Sequence, residues 1–172
     1  MVGVILQIIS AVARTLEVVV PLLEHPSESF LAQLEEDAVK LILQHDKTVV
    51  AACLSCLGSV VNHVTRNFKL IRDCFRKYFG PLTEYKSLHE RNPDNPRLVQ
   101  HRPFFRRALF TVGLLLRHFD FNNEEVRCGL PESTKQQVMD TLLYFVGQNC
   151  TDMQFFTLQV RCRAHFTVSF DC

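Results

Sequence analysis

Asp46-Lys47-Thr48-Val49-Val50-Ala51-Ala52-Cys53-Leu54-Ser55-Cys56-Leu57-Gly58-Ser59-Val60 is the stretch on which the reading of this chain turns. Asp46 has a side chain that can accept the first free backbone N–H groups of a helix. Behind it Val50, Cys53, Leu54, Leu57, Val61, Val64 and Phe68 recur at three and four residues, which is one apolar helical face. Small side chains fill the positions between, and Gly58 has none, so a second helix can approach closely. The same packing accounts for Cys53-x-x-Cys56: a free cysteine packs as a small hydrophobe. A zinc or redox site would need further ligands or a strand–helix–strand setting, and there is no second Cys-x-x-Cys.

Outward from that segment the chain reads as helix after helix. Toward the N-terminus, Ile5, Ile8, Ile9, Val12, Leu16, Val19, Val20 and Leu23 form one face, with Gln7, Ser10, Arg14, Glu17 and Glu24 opposite. Met1 to Ala13 has the apolar run and small-residue end of a secretion signal. It lacks a leading basic residue, though, and its pattern continues past Ala13, which favours an amphipathic helix. Arg14 and Glu17 are expected to interrupt any membrane-spanning run. Pro21 kinks or ends this helix, and Ser27 begins a second carrying Leu31, Leu34, Ala38, Leu41 and Ile42. Toward the C-terminus, a helix with Ile71, Phe75, Tyr78 and Phe79 is expected to end or kink at Gly80-Pro81. Three prolines between Arg91 and Pro103 mark a loop. A helix follows from Pro103 to about Phe119, then a polar loop from Asp120 to Leu130, then a helix from Ser133 to Gly147. Phe166-Thr167-Val168-Ser169-Phe170 alternates with period two, the one strand-like stretch.

The chain has 172 residues, 47% of them hydrophobic and 22% charged, enough for one core and too rich in apolar residues for disorder. Six Gly, seven Pro and no Asn-Gly or Asp-Gly turn disfavour strand-rich architectures. Paired helices with short joins indicate an all-α fold, an α-solenoid of antiparallel helix pairs or an irregular bundle. The segment from Asp46 to Val60 looks like the second helix of a HEAT repeat, with Phe110-Thr111-Val112-Gly113-Leu114 a degenerate echo.

Charge is uneven. Residues 1–61 hold three basic and seven acidic side chains, 62–119 twelve and four, and 120–172 four and seven. A basic middle third suggests an acidic partner, nucleic acid among the candidates, although a solvated outer face has the same composition. Arg66, Lys69, Arg72 and Arg76 recur at helical spacing beside Lys77. Arg97, Arg102, Arg106, Arg107 and Arg117 follow, with no acidic residue between Asn95 and Phe119. Nothing resembles a base-reading motif, so nucleic-acid contact would be to phosphates. His118-Phe119-Asp120 could form an acid–base pair, but no Gly-x-Ser-x-Gly turn, phosphate loop or His-Glu-x-x-His accompanies it, and a histidine there suits a helix C-terminus. Asn149-Cys150-Thr151 matches a glycosylation sequon, and because secretion is not expected the match is expected to be a chance one. The seven cysteines, an odd number, are expected to be reduced intracellular thiols.

Several runs together resemble the C-terminal HEAT region of the Nipped-B-like cohesin loaders: Pro21-Leu22-Leu23-Glu24-His25-Pro26-Ser27-Glu28, Leu34-Glu35-Glu36-Asp37, Ser55-Cys56-Leu57-Gly58, Asn67-Phe68-Lys69, Leu109-Phe110-Thr111-Val112-Gly113 and Arg117-His118-Phe119-Asp120-Phe121. The resemblance covers roughly Ile9 to Asp152. It divides the chain into HEAT-like repeats over 1–152 and a divergent tail over 153–172, unlike the family and suggestive of non-native sequence. It implies a nuclear, non-enzymatic adaptor without a cofactor, metal or small-molecule substrate. Such a protein binds cohesin subunits and DNA or chromatin, away from membranes, and promotes cohesin loading for sister chromatid cohesion and gene regulation. Of the basic residues, Lys69, Arg106 and Arg117 fall in or beside matching motifs and are the candidates for DNA or partner contact. The alternative is a generic α-solenoid interaction scaffold in transport or signalling.

Overall fold

A computed structural model of the chain describes residues 2–44 and 46–147. The tail after Asp152, with its strand-like stretch, and the sequon at Asn149 lie outside the described residues. The described chain contains seven α-helices and no strand, as an all-α HEAT-like fold requires. It divides into two compact units between Cys74 and Phe75.

The first unit holds α1 (Val2–Val19), α2 (Glu28–Gln44), α3 (Lys47–Val60) and the first turns of α4 (Phe68–Arg91). The starts and stops follow local chemistry. Pro21 sits in a 3₁₀ turn, Val20–Leu22, that closes α1. The Ser27 hydroxyl accepts from the Phe30 N–H at 3.2 Å and opens α2. Asp46 Oδ1 accepts from the N–H groups of Thr48 at 3.0 Å and Val49 at 3.1 Å, capping α3 as its sequence demands.

α3 is the central helix. It packs against both α1 and α2, and Val49, Val50, Ala52, Cys53, Leu54, Cys56, Leu57, Gly58 and Val60 are all buried. This is burial on nearly every side, wider than the single face read from the sequence. The α2–α3 pair is antiparallel: the two are joined by a short link, and Glu35 in α2 meets Thr65 and Asn67 beyond the far end of α3. α1 runs parallel to α3. Glu17, near the end of α1, accepts from the Ser55 hydroxyl through Oε1, and its carbonyl accepts from the Ser59 hydroxyl, both at 2.7 Å. An antiparallel pair with a parallel neighbour stacked on its second helix is the order of helices in a HEAT-type repeat.

The contact face of α1 differs from the expected one. Ser10 and Ala13 are buried, and Glu17 reaches α3, whereas Ile5, Ile8 and Val12 remain more than half exposed. Small and hydrogen-bonding side chains let α1 approach α3 closely. The apolar stripe, rotated about a quarter turn away, faces sideways. Length and composition also overrule the expected interruption by Arg14 and Glu17: Gly3–Leu22 is long and apolar enough to cross a membrane, as is the core segment Lys47–Thr65.

A π-helical turn, Val61–Thr65, ends α3, and Arg66 takes a left-handed conformation with φ 56°. The Arg66 guanidinium donates to the Asn62 carbonyl at 2.8 Å and lies 4.8 Å from the centre of the Phe68 ring. Glu35, only 6% exposed, fixes the same corner by accepting from the Thr65 hydroxyl and from Asn67 Nδ2 at 2.7 Å.

The second unit comprises the rest of α4, α5 (Pro96–His118), a single-turn α6 (Glu124–Arg127) and α7 (Thr134–Gly147). Of the two readings at Gly80-Pro81, an end or a kink, the end is excluded, since α4 runs through Pro81 to Arg91. The expected loop from Arg91 to Pro103 shrinks to Asn92–Asn95, because α5 begins at Pro96. Asn95 Oδ1 caps α5 by accepting from the Arg97 N–H at 3.0 Å, and Pro96 needs no donor in a first turn. The interior prolines are tolerated because the carbonyls they orphan, four residues back, belong to the exposed residues Lys77 and Val99, where water can satisfy them. The Thr83 hydroxyl also donates to the Gly80 carbonyl at 2.7 Å.

Aromatic rings tie this unit together. The Tyr85 ring of α4 lies tilted against Phe105 of α5, centres 3.8 Å apart, and 5.8 Å from Phe145 of α7, while its hydroxyl donates to the Leu98 carbonyl at 3.4 Å. Phe75 contacts Phe79 and Phe121 at about 5 Å. The expected loop between Asp120 and Leu130 contains the α6 turn, capped by Asn123.

Candidate interaction surfaces

Lys69 is exposed on the first turn of α4, in the first unit, and has no ion pair among the described residues. Arg117 is exposed in the last turn of α5, and Arg106 is half-buried earlier in the same helix, both in the second unit. Eleven residues are just over three full turns, so Arg106 and Arg117 share a side of α5 at about 16 Å separation. Between them Ala108 to Leu115 are all buried. The two arginines therefore stand at opposite ends of a core segment and form no continuous basic stripe.

The neighbouring basic residues divide by role. Arg66 closes the corner after α3. Arg72 is half-buried and pairs with Asp73 at 2.9 Å. Arg102 and Arg107 are half-buried and engaged within the protein. Arg76, Lys77 and Arg97 are exposed.

Cys53 and Cys56 lie in the core of α3. Burial pushes the Cys53 thiol up to about 11 and the Cys56 thiol up to about 12, the latter helped by Cys53 and Glu17. Thiols in that state are poor nucleophiles and poor metal ligands. His118 is the last residue of α5, where its expected role at the helix C-terminus places it. Among the described residues no group of three or more His, Cys, Asp or Glu side chains is arranged to hold a metal.

One surface feature is not visible in the sequence pattern alone. α1 and α2 both rest on α3 but leave between them an apolar groove of about 350 Å³, walled by Ile8, Val12, Phe30 and Leu34 and floored by Cys53 and Cys56. Its signal lies in α1, whose apolar residues exceed what one helical contact can bury.

Over the described residues these features define the class: an all-helical chain of the HEAT-repeat type. No family model matches the chain. Among curated proteins it is 47% identical over 147 residues to the Nipped-B-like proteins of Homo sapiens and Mus musculus, a match covering 86% of this chain and 5% of theirs. It is 43% identical over 150 residues to the Nipped-B protein of Drosophila melanogaster, covering 85% of this chain and 7% of that protein. Over the matched segment the chain belongs to the Nipped-B-like family, and it spans about one-twentieth of the length of the first of these relatives.

Proposed function

We propose that the chain acts as a non-enzymatic HEAT-repeat adaptor in the nucleus, contributing to the loading of cohesin onto chromatin, with cohesin subunits and DNA as its partners. The observation that carries this reading is the 47% identity sustained over 147 residues. On this reading residues 1–152 are the functional repeats, and Lys69, Arg106 and Arg117 contribute contacts to DNA or to a partner protein. The deep burial of both paired cysteines supports a role without covalent chemistry.

The α1–α2 groove favours a second reading, an interaction scaffold that contacts proteins alone, because an apolar trough suits a peptide or helix better than a phosphate backbone. Two experiments on the purified full chain separate them. The adaptor reading requires capture of purified cohesin subunits, together with gel shifts of unrelated DNA duplexes that weaken steeply with salt. Absence of both rejects it, and capture of cohesin without any DNA shift leaves a protein-contact role.

A further inference from the structure

The second unit contains a pocket of about 290 Å³ between the last turns of α4 and the first turns of α5. Its lining includes Glu84 and Tyr85 from α4, and Arg97, His101, Phe104 and Phe105 from α5. Tyr85 and Phe105 form the aromatic floor, their ring centres 3.8 Å apart and their planes tilted by 43°. Phe104 stands edge-on to Phe105 at 5.5 Å yet is 44% exposed, and His101 stands edge-on to Phe105 at 6.4 Å. An exposed phenyl ring beside an open aromatic pocket is a surface that water solvates poorly.

Size limits the occupant. A cavity of about 150 Å³ accepts one benzene ring, so this pocket holds one aromatic side chain with its adjoining backbone. Charge limits it further. The helices are antiparallel across the Asn92–Asn95 turn, as the bond from the Tyr85 hydroxyl to the Leu98 carbonyl requires. Arg97 therefore marks the end of the pocket nearest the turn, and Glu84, seven residues before the end of α4, lies about 10 Å farther along. Neither side chain has an ion pair among the described residues. An occupant complementary to both carries a negative group toward the turn and a positive group about 10 Å away. That is three residues of extended chain. A polyphosphate backbone fails this test, because Glu84 repels it.

We propose that the α4–α5 pocket binds a short linear peptide that seats an aromatic side chain between an acidic residue and a basic residue three positions later. The aromatic ring lies against Phe104 and Phe105, the acidic residue pairs with Arg97, and the basic residue pairs with Glu84. This site is independent of the adaptor reading and uses none of its candidate residues.

The test is fluorescence anisotropy of a labelled, end-blocked peptide, Ser-Gly-Glu-Phe-Ser-Lys-Gly-Ser, titrated with the full chain. The expected result is saturable binding with Kd below about 1 mM, weakened at least about tenfold by Phe104→Ala and by Phe→Ala in the peptide. The decisive arm is the charge exchange Glu84→Arg with Arg97→Glu, which transfers preference to the peptide with Glu and Lys exchanged. An unfolded variant cannot gain that preference. No saturable binding, binding indifferent to Phe104, failure of the exchange to transfer preference, or Phe104-dependent competition by single-stranded DNA each overturns the proposal.

Discussion

At Cys53 and Cys56 desolvation raises the thiols from an ordinary 9.0 to about 11 and about 12. Below pH 9 both thiols are protonated in the folded and unfolded chains and contribute no pH dependence. Above pH 9 the unfolded chain releases its protons while the folded chain keeps them, so stability falls as pH rises toward 11–12. Thermal unfolding between pH 8 and 11 should show that fall, and the Cys53→Ala, Cys56→Ala double variant should show less of it. At pH 8, mass spectrometry after brief iodoacetamide treatment should find Cys128, which is partly exposed, modified well before either core cysteine. Glu35 is the other residue on which much rests, since its carboxylate serves both Thr65 and Asn67. Glu35→Ala strands those donors at a partly buried corner and should cost about 1–3 kcal/mol in urea unfolding. An unchanged midpoint would mean that water replaces the carboxylate.

Among the elements, α3 is the most legible from sequence. Its cap, its apolar period and its small residues agree with one another, and such agreement specifies a structure strongly. Gly58 is buried on it, close to the level at which Ser55 and Ser59 bond to α1. Gly58→Leu should therefore destabilise by roughly 1–3 kcal/mol through overpacking, read as a lower melting temperature. The start of α5 is illegible for an equally definite reason. Three prolines within eleven residues are the strongest local argument for a loop, yet Pro96 falls in a first turn and Pro103 orphans a carbonyl on the solvent side. Tertiary burial of Leu98, Phe105 and Ala108 outweighs that local cost. Pro103→Ala should accordingly raise stability, by up to about 3 kcal/mol, and a decrease would show that the proline ring itself packs usefully. The contact face of α1 is hidden for a related reason: periodicity locates an apolar stripe but not the neighbour that covers it. The α1–α2 groove follows from that. The α4–α5 pocket is hidden too, because a proline-rich loop in place of the first turns of α5 would leave it with one wall.

Across the whole molecule the division of charge into acidic, basic and acidic thirds is a property of the sequence. What folding adds is the sorting of the basic third into residues that serve the fold and residues that face water. Arg66, Arg72, Arg102, Arg106 and Arg107 are half-buried or hold specific internal contacts. Reversing any of them perturbs the protein as well as its surface. Lys69 and Arg117 are exposed and free of that complication. The DNA-contact proposal is therefore tested most cleanly by Lys69→Glu with Arg117→Glu, leaving Arg106 in place. Removing one phosphate interaction lowers the slope of log affinity against log salt by roughly one. The double variant should then bind unrelated duplexes with about equal weakening and a salt slope lower by about two. A uniform weakening with an unchanged slope would point to misfolding, which the melting temperature would reveal. An unchanged affinity would remove both residues from the DNA surface and leave them for protein contact. Loss of preference at particular base pairs would contradict backbone binding altogether, because only groove contacts to base edges discriminate among sequences in that way.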